Sequence, residues 1–548
     1  MKMVRSLLLG SAAGFVAVAG AQAADMPVKA KPVEYVRICT LYGAGFFYLP
    51  GTDICVKHGA YVRFQPYYNA GFQSATNGVF VGPAGQQTAS NATNNDLILR
   101  SRAVYTMDAR TQTEYGTLRA YTLIGYTQDS VGNTPAAALY ATRGFIQFAG
   151  FTLGKATSFY DIWSSPANSY FATFSSDTGD GGMIVAAYIF QFGNGFSATL
   201  AAEDPRKLVT TNTSIAAVGV TPFPLGGVPS SDTVNTRWPD VVANLRVDQA
   251  WGSFQVMGAV HDVSGAYFLP TSGTAITCGA TAFGGTLTGD LACGRPDDEL
   301  GFAVGVGGIF KIPMPTGLTD IASFQFNYTE GASRYAWFTQ PAAGSPNFFG
   351  NTGATNCPIG PPAVAGLSPL CLGSIGVGFL TDGIFANPGA LAGYDGSVEK
   401  TKVWGVNAAW DHLWTPNLKT SVWGSWIKIE YNETAAALMS VSLCNTVAGD
   451  VPVVVPAAVG TAAGAISRIT GSCDPDFTIW QVGSRTQWNI TPSFYVGFDV
   501  MYQKLETAFG GSALFTAAAN LPRPTGNYEI KDQDSVSVTA RAHWDILP

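Results

Sequence analysis

The side chains of this chain that could do chemistry are charged groups at strand-like spacing, and the chemistry they suit is electrostatic. The segment Asp161 to Met183, DIWSSPANSYFATFSSDTGDGGM, carries Asp161, Asp177 and Asp180 and no lysine or arginine. The sequence ahead of it sets Arg63, Arg100, Arg102, Arg119, Arg143 and Lys155 into alternating apolar and polar runs. Acids on a loop facing bases on a wall would place a transverse field across any water between them, strongest where the walls are of low dielectric. The competing reading is a surface loop whose acids are simply solvated.

Bond-making chemistry finds no support. No Gly-x-Ser-x-Gly, His-Glu-x-x-His or Gly-x4-Gly-Lys-[Ser/Thr] motif occurs, and Gly154-Lys155 lacks the first glycine of the last of these. His58, His261, His412 and His543 fall on distant segments and read as lumen or turn residues. Asp297-Asp298-Glu299 and Cys473-Asp474-Pro475-Asp476 could hold a divalent cation, but solvated loop acids are the preferred reading. The expectation is a protein that is not an enzyme and has no cofactor and no metal.

Met1 to Ala23 has Lys2 and Arg5, an apolar run from Leu7 to Ala21 and the small-x-small signature Ala21-Gln22-Ala23, which together read as a secretory signal with the mature chain starting at Ala24. Removing Lys2 and Arg5 from the 30 basic residues leaves 28 against 37 acidic ones, a net charge of about −9 that excludes a nucleic-acid binder. The chain is mildly apolar, with a mean hydropathy of +0.16, yet no clean run is long enough to cross a bilayer as a helix. Val451 to Ile466 comes nearest and is broken by Pro452, Pro456, Gly460 and Gly464. A large secreted β protein and a membrane barrel both remain; aromatics at 12% and 63 glycines lean to the barrel.

The elements that would position the charges are strands. From Ser535 the chain alternates, with Val536, Val538, Ala540, Ala542, Trp544 and Ile546 on one face and Ser537, Thr539, Arg541, His543 and Asp545 on the other. Trp480, Val482 and Trp488 oppose Gln481, Arg485 and Gln487 in the same way. A sandwich shows the same period, so alternation alone does not decide. Three features favour the membrane. Trp480 and Trp488 lie eight residues apart on one face, about 27 Å along a strand and roughly 20 Å along the normal after a ~40° tilt, which suits two interfacial girdles. Most runs are about 9 to 13 residues, the length a tilted strand needs to cross. Long and short connections also alternate along sixteen predicted strands, at 59–69, 95–107, 114–126, 137–149, 150–160, 184–192, 195–203, 239–248, 251–261, 301–310, 318–329, 399–411, 416–430, 476–489, 492–504 and 533–546. The last strand departs from the usual aromatic ending, with Pro548 after Trp544-Asp-Ile-Leu.

Eight cysteines fall as neighbours, Cys39/Cys55, Cys278/Cys293, Cys357/Cys371 and Cys444/Cys473. Nearest-neighbour disulfides are expected in an exported chain, although eight cysteines allow about 105 connectivities. Three of the pairs lie in long Gly/Ala/Pro/Thr/Ser-rich loops that would form the cell-surface face.

The stretch Val36 to Phe64, VRICTLYGAGFFYLPGTDICVKHGAYVRF, and FIQFAGFTLGKATSFYD, Phe145 to Asp161, resemble the alphaproteobacterial porin family of Rhizobiales-type outer membranes. The resemblance implies an all-β, transmembrane antiparallel β-barrel of about sixteen strands, a homotrimer in outer-membrane lipid and lipopolysaccharide, and passive diffusion of ions and small hydrophilic solutes. It brings the loop after strand 5, residues 161–183, inside the barrel as a constriction. The organisation expected is a signal peptide over 1–23, a periplasmic lead-in over 24–58 and a barrel over 59–548. By parity Arg63, Arg100, Arg102, Arg119, Arg143 and Lys155 face the lumen, with Asp177 and Asp180 across the opening. A substrate-selective anion channel and a surface adhesin or receptor barrel are the alternatives.

Overall fold

Sixteen stretches of alternating sequence form the wall of the protein in a computed structural model, which describes residues 37–68, 97–130, 136–179, 181–213, 234–268, 294–338, 347–351, 355–356, 370–371, 373–444, 446–447, 451–452, 469–515 and 526–547. The wall strands are β1 (Cys55–Tyr68), β2 (Leu97–Thr113), β3 (Gly116–Asp129), β4 (Ala136–Phe148), β5 (Phe151–Ala156), β6 (Met183–Gly193), β7 (Phe196–Glu203) and β8 (Asp240–Gln249). They continue as β9 (Gly252–Asp262), β10 (Leu300–Pro313), β11 (Thr319–Glu330), β12 (Lys402–Thr415), β13 (Leu418–Glu430), β14 (Phe477–Asn489), β15 (Phe494–Glu506) and β16 (Gln533–Leu547). Each pairs with its sequence neighbours, and β1 pairs with both β2 and β16, so the sheet closes into an antiparallel barrel. Closure leaves no open edge along which backbone amides would face hydrocarbon unpaired.

Tight turns join alternate pairs. Gly193, Asn194 and Gly195 all take positive φ (84°, 50° and 76°), which lets β6 reverse directly into β7. The long connections stand at the opposite end. Several predicted boundaries change: β2 runs on to Thr113 before its turn, β10 to Pro313 and β12 to Thr415, and β5 stops at Ala156, not residue 160, because the chain leaves the wall at Thr157. The first strand begins at Cys55, four residues ahead of its predicted start.

Side chains sort by face. Phe64, Leu139, Leu200, Leu245, Val422, Val482 and Trp488 stand exposed on the outside, while Gln325, Asn407, Ser421, Gln481 and Asp499 are buried inside. An apolar exterior over a polar interior inverts the order of a water-soluble protein and matches a barrel bathed in lipid.

The mouth at the long-connection end is partly filled. Val403, Ile427, Ile429, Phe477, Ile479 and Leu505 point inward near that rim, on β12 to β15, and pack with Trp337, Val377, Phe379 and Met439 of the outer connections. The helix α1 (Glu433–Leu443) joins this core, its first turn capped where Asn432 Oδ1 accepts from the Ala435 amide at 2.8 Å.

The segment up to Lys57 is a compact unit of its own. Phe47 and Tyr48 pair with Val56 and Cys55, and a disulfide joins Cys39 to Cys55 around buried Phe46. Cys444 is likewise joined to Cys473. Cys278, Cys293 and Cys357 lie outside the described residues, as do the signal segment 1–23 and much of the long connections, while of Cys371 only the backbone is described.

Val482 sits midway along β14 on the outer face. Val482→Arg is expected to lower stability by about 2–4 kcal/mol, the cost of an arginine at the lipid midplane. Urea unfolding in phospholipid vesicles measures it, and an unchanged midpoint would place this face in water.

Candidate functional site

Residues 157–182 leave the wall after β5 and return at β6, and their backbone finds its partners on inward-facing side chains around the ring. Gln325 Oε1 of β11 accepts from the amides of Ile162 and Trp163 at 3.1 and 2.8 Å, while its Nε2 donates to Ser176 Oγ at 2.6 Å. Phe174 is held from both sides: Asn407 of β12 donates to its carbonyl at 2.6 Å, and Gln481 of β14 accepts from its amide at 3.1 Å. Asp499 of β15 accepts from Ser169 Oγ at 2.8 Å and the Tyr170 amide at 2.6 Å. Asn244 of β8 donates to the Phe159 carbonyl at 2.6 Å. A segment bonded to β8, β11, β12, β14 and β15 lies within the barrel, as the resemblance implied.

Four arginines reinforce the attachment through loop carbonyls. Arg143 of β4 donates to Gly179 O at 2.6 Å and Thr157 Oγ1 at 2.8 Å. Arg206, just beyond β7, donates to Ser176 O at 3.0 Å. Arg485 of β14 donates to the carbonyls of Pro166 (3.1 Å) and Ala167. Arg541 of β16 donates to Tyr170 O at 3.4 Å and lies 4.0 Å from the centre of the Tyr170 ring. Phe174 then packs against Trp337, ring centres 4.9 Å apart, joining the loop to the apolar core of the mouth.

Two of the loop's three acids, Asp161 and Asp177, are engaged in this architecture. Asp161 is buried; it pairs with Arg206 at 3.3 Å and accepts from the Thr178 amide and hydroxyl at 2.9 and 2.7 Å. Burial alone would lower the pKa of Arg206, but Asp161, Tyr335 and Glu203 more than reverse that, so the guanidinium stays charged. Asp177, also buried, accepts from the amides of Ser165 at 2.8 Å and Gly179 at 2.6 Å. Asp180 lies outside the described residues. For Asp161 and Asp177 the expectation of acids facing a basic wall is therefore corrected: their oxygens are spent on the loop's own backbone and on Arg206.

The wall bases divide three ways. Arg100 forms a two-point ion pair with Asp129 at 2.7 and 2.8 Å, and Arg119 shares Asp108 with Arg110. The Arg100 charge is balanced locally, while Asp108 offsets one of the two charges of Arg110 and Arg119. Arg102 donates to Thr127 Oγ1 at 2.8 Å and lies 3.8 Å from the centre of the Tyr140 ring. Arg63 donates from Nε to His543 Nδ1 at 3.3 Å, and among the described residues Arg143 binds carbonyl and hydroxyl oxygens. Lys155 is a correction. Its cross-strand partners are Gly144 and the exposed Ile184, and the inward places on β5 belong to Thr152 and Ala156. Lys155 thus stands on the outer face, where its ammonium reaches the Ala141 carbonyl at 2.8 Å.

Sequence reading left Asp108, Arg110, Asp129, Arg206, Arg485 and Arg541 out of the site. Alternation alone puts Asp108 and Arg110 on the inward face of β2 and Arg485 and Arg541 on those of β14 and β16, so parity could have found them. Arg206, outside any strand, carries no such signal.

Between the loop and β1, β3, β4 and β5 a cavity of about 550 Å³ remains, lined in part by Arg63, Tyr121, Tyr140, Arg143, Phe145 and Phe159. Among the described residues its charged lining groups are Arg63 and Arg143.

Comparison with known proteins agrees with this architecture. Residues 25–539 match the model of the Porin subfamily. The chain is 30% identical over 270 residues to porin Omp2b of Brucella melitensis, covering 47% of this chain and 66% of that protein. It is 32% identical over 289 residues to porin Omp2a of the same organism, covering 47% and 67%. The matched segment thus spans about two-thirds of these relatives. The outer membrane channel DcaP of Acinetobacter baumannii shares the fold at a TM-score of 0.50 and 11% identity, over 91% of this chain and 99% of that one.

Arg206→Met would leave Asp161 buried without its counter-charge. The expected loss is about 3–5 kcal/mol, read as a lower urea midpoint; an unaltered midpoint would mean that the pair does not hold the loop.

Proposed function

Because the chain belongs to the Porin subfamily, we propose that it forms a water-filled channel in the bacterial outer membrane, through which ions and small hydrophilic solutes diffuse passively. The observation that carries this reading is the inward seating of residues 157–182 across a closed barrel with a polar interior. A cavity stays open beside the loop on the β1 to β5 side. Transport of this kind needs no catalytic residue: selectivity follows from the width of the water column and the charge on its walls.

The sector that lines the cavity leans positive. Among the described residues Arg63 and Arg143 are bound to neutral groups, whereas the charge of Arg100 is balanced by Asp129, Arg110 and Arg119 share the single charge of Asp108, and that of Asp161 is paired with Arg206. The channel on this reading prefers anions, and the constriction consists of the loop 161–183 on one side and Arg63, Arg102 and Arg143 on the other. The outer connections form the cell-surface face at the level of lipopolysaccharide, residues 24–58 are a periplasmic lead-in, and the barrel assembles as a homotrimer, as the family resemblance implies.

Reversal potentials in a KCl gradient across a planar bilayer test this. The full-length protein is expected to pass chloride in preference to potassium, Arg63→Ser to shift the potential towards cations, and Asp177→Asn to leave it in place. A cation-preferring channel would overturn the assignment of the charges, and a protein with no conductance in any salt would overturn the channel. Unheated protein in SDS is expected to run as a trimer and boiled protein as an unfolded monomer.

A further inference from the structure

The cavity beside the loop is furnished for more than water and inorganic ions. Tyr121 and Phe145 stack at 5.4 Å with their planes 24° apart, and both line the cavity with Tyr140 and Phe159. These four rings are a large apolar surface to leave inside a polar barrel. Facing into the same space is Arg63, whose Nε binds His543; among the described residues its two terminal nitrogens carry no hydrogen bond. Arg63 also lies 5.2 Å from the centre of the Tyr61 ring, which holds the guanidinium in place without neutralising it.

We propose that this cavity is a binding site for small aromatic carboxylates, with the carboxylate on the guanidinium of Arg63 and the ring of the ligand against the aromatic platform. The proposal rests on the channel reading and names a solute class for it. A guanidinium whose two terminal nitrogens are to spare matches the two oxygens of a carboxylate, and the rings of Tyr121, Tyr140, Phe145 and Phe159 that line the cavity offer aromatic contact at little conformational cost, held from behind by Arg102 on Tyr140 and Arg119 on Tyr121 and Phe145. The volume, about 550 Å³, is in the range of small-molecule sites. A second set of groups continues from Arg63 along the wall. His543 faces Arg63 across the β1/β16 pairing and Tyr495 across the β15/β16 pairing, and the His543 and Tyr495 rings stack at 4.7 Å.

Benzoate serves as the probe, with acetate as the control that lacks a ring, on the full-length protein in planar bilayers. Added at rising concentration to a chloride-conducting channel, benzoate is expected to reduce the current saturably, at a concentration roughly ten-fold below that at which acetate does so, a stacking contribution of ordinary size. Arg63→Ser is expected to weaken the benzoate effect by roughly ten-fold or more, the loss of one charge-assisted contact. Tyr121→Leu is expected to bring benzoate close to acetate while leaving the acetate response as it was. Benzoate current that rises linearly with no block, or equal potency for the two anions, overturns the binding site while chloride conductance leaves the channel reading standing. Absence of conductance in every salt overturns the channel reading itself.

Discussion

A polypeptide segment carried into the interior of a barrel brings its amides and carbonyls with it, and each must find a partner there or cost about 1–3 kcal/mol. Among the described residues of 157–182 there is no sheet and, apart from one turn of helix at Ser165–Asn168, no regular structure that would satisfy them internally. The wall supplies what is missing. Gln325, Asn407, Gln481 and Asp499 are buried and polar because the loop lies against them. Arginine suits the same role, since its long stem reaches from a strand and several donors in one plane serve more than one carbonyl.

This mode of attachment also sets the electrostatics. A carbonyl satisfies a guanidinium's hydrogen bonds without cancelling its charge, so Arg143, Arg485 and Arg541 hold the loop and remain cationic. The carboxylates of the loop are used otherwise, Asp161 on Arg206 and Asp177 on two backbone amides. Among the described residues the charged groups that line the cavity beside the loop are Arg63 and Arg143. The apolar packing of Trp337, Phe379 and Ile427 at the mouth occupies the β12 to β15 side. The cavity lies on the β1 to β5 side, beside Arg63 and Arg143.

The wall was legible in the sequence because a lipid-facing strand has no other way to be written. Alternation placed β6 within a residue of Met183–Gly193 and set Trp488 outside and Arg485 inside. Pairing across the barrel was not legible. Nothing local to Arg119 reveals that it shares Asp108 with Arg110, and nothing near Asp161 points to Arg206, forty-five residues on. Lys155 shows the limit of charge as a guide to facing, since a lysine near a strand end can extend to a carbonyl and leave its stem in the apolar layer. The packed mouth was equally hidden, because its connections are rich in Gly, Ala and Pro and read as surface until the rim residues Phe477 and Ile479 are seen to turn inward.

The seating of the loop reports on the history of the chain. Its Tyr170 carbonyl is held by Gln65, near the start of the barrel, and by Arg541, near its end, and these two side chains bond to each other at 2.9 Å across 476 residues of sequence. Such a contact cannot exist until the first and last strands have met. This hold on Tyr170 therefore forms only after ring closure, whereas the contacts of the loop to Gln325, Asn407 and Gln481 need no meeting of the first and last strands. A seated Tyr170 is thus the mark of a ring whose two ends have been joined.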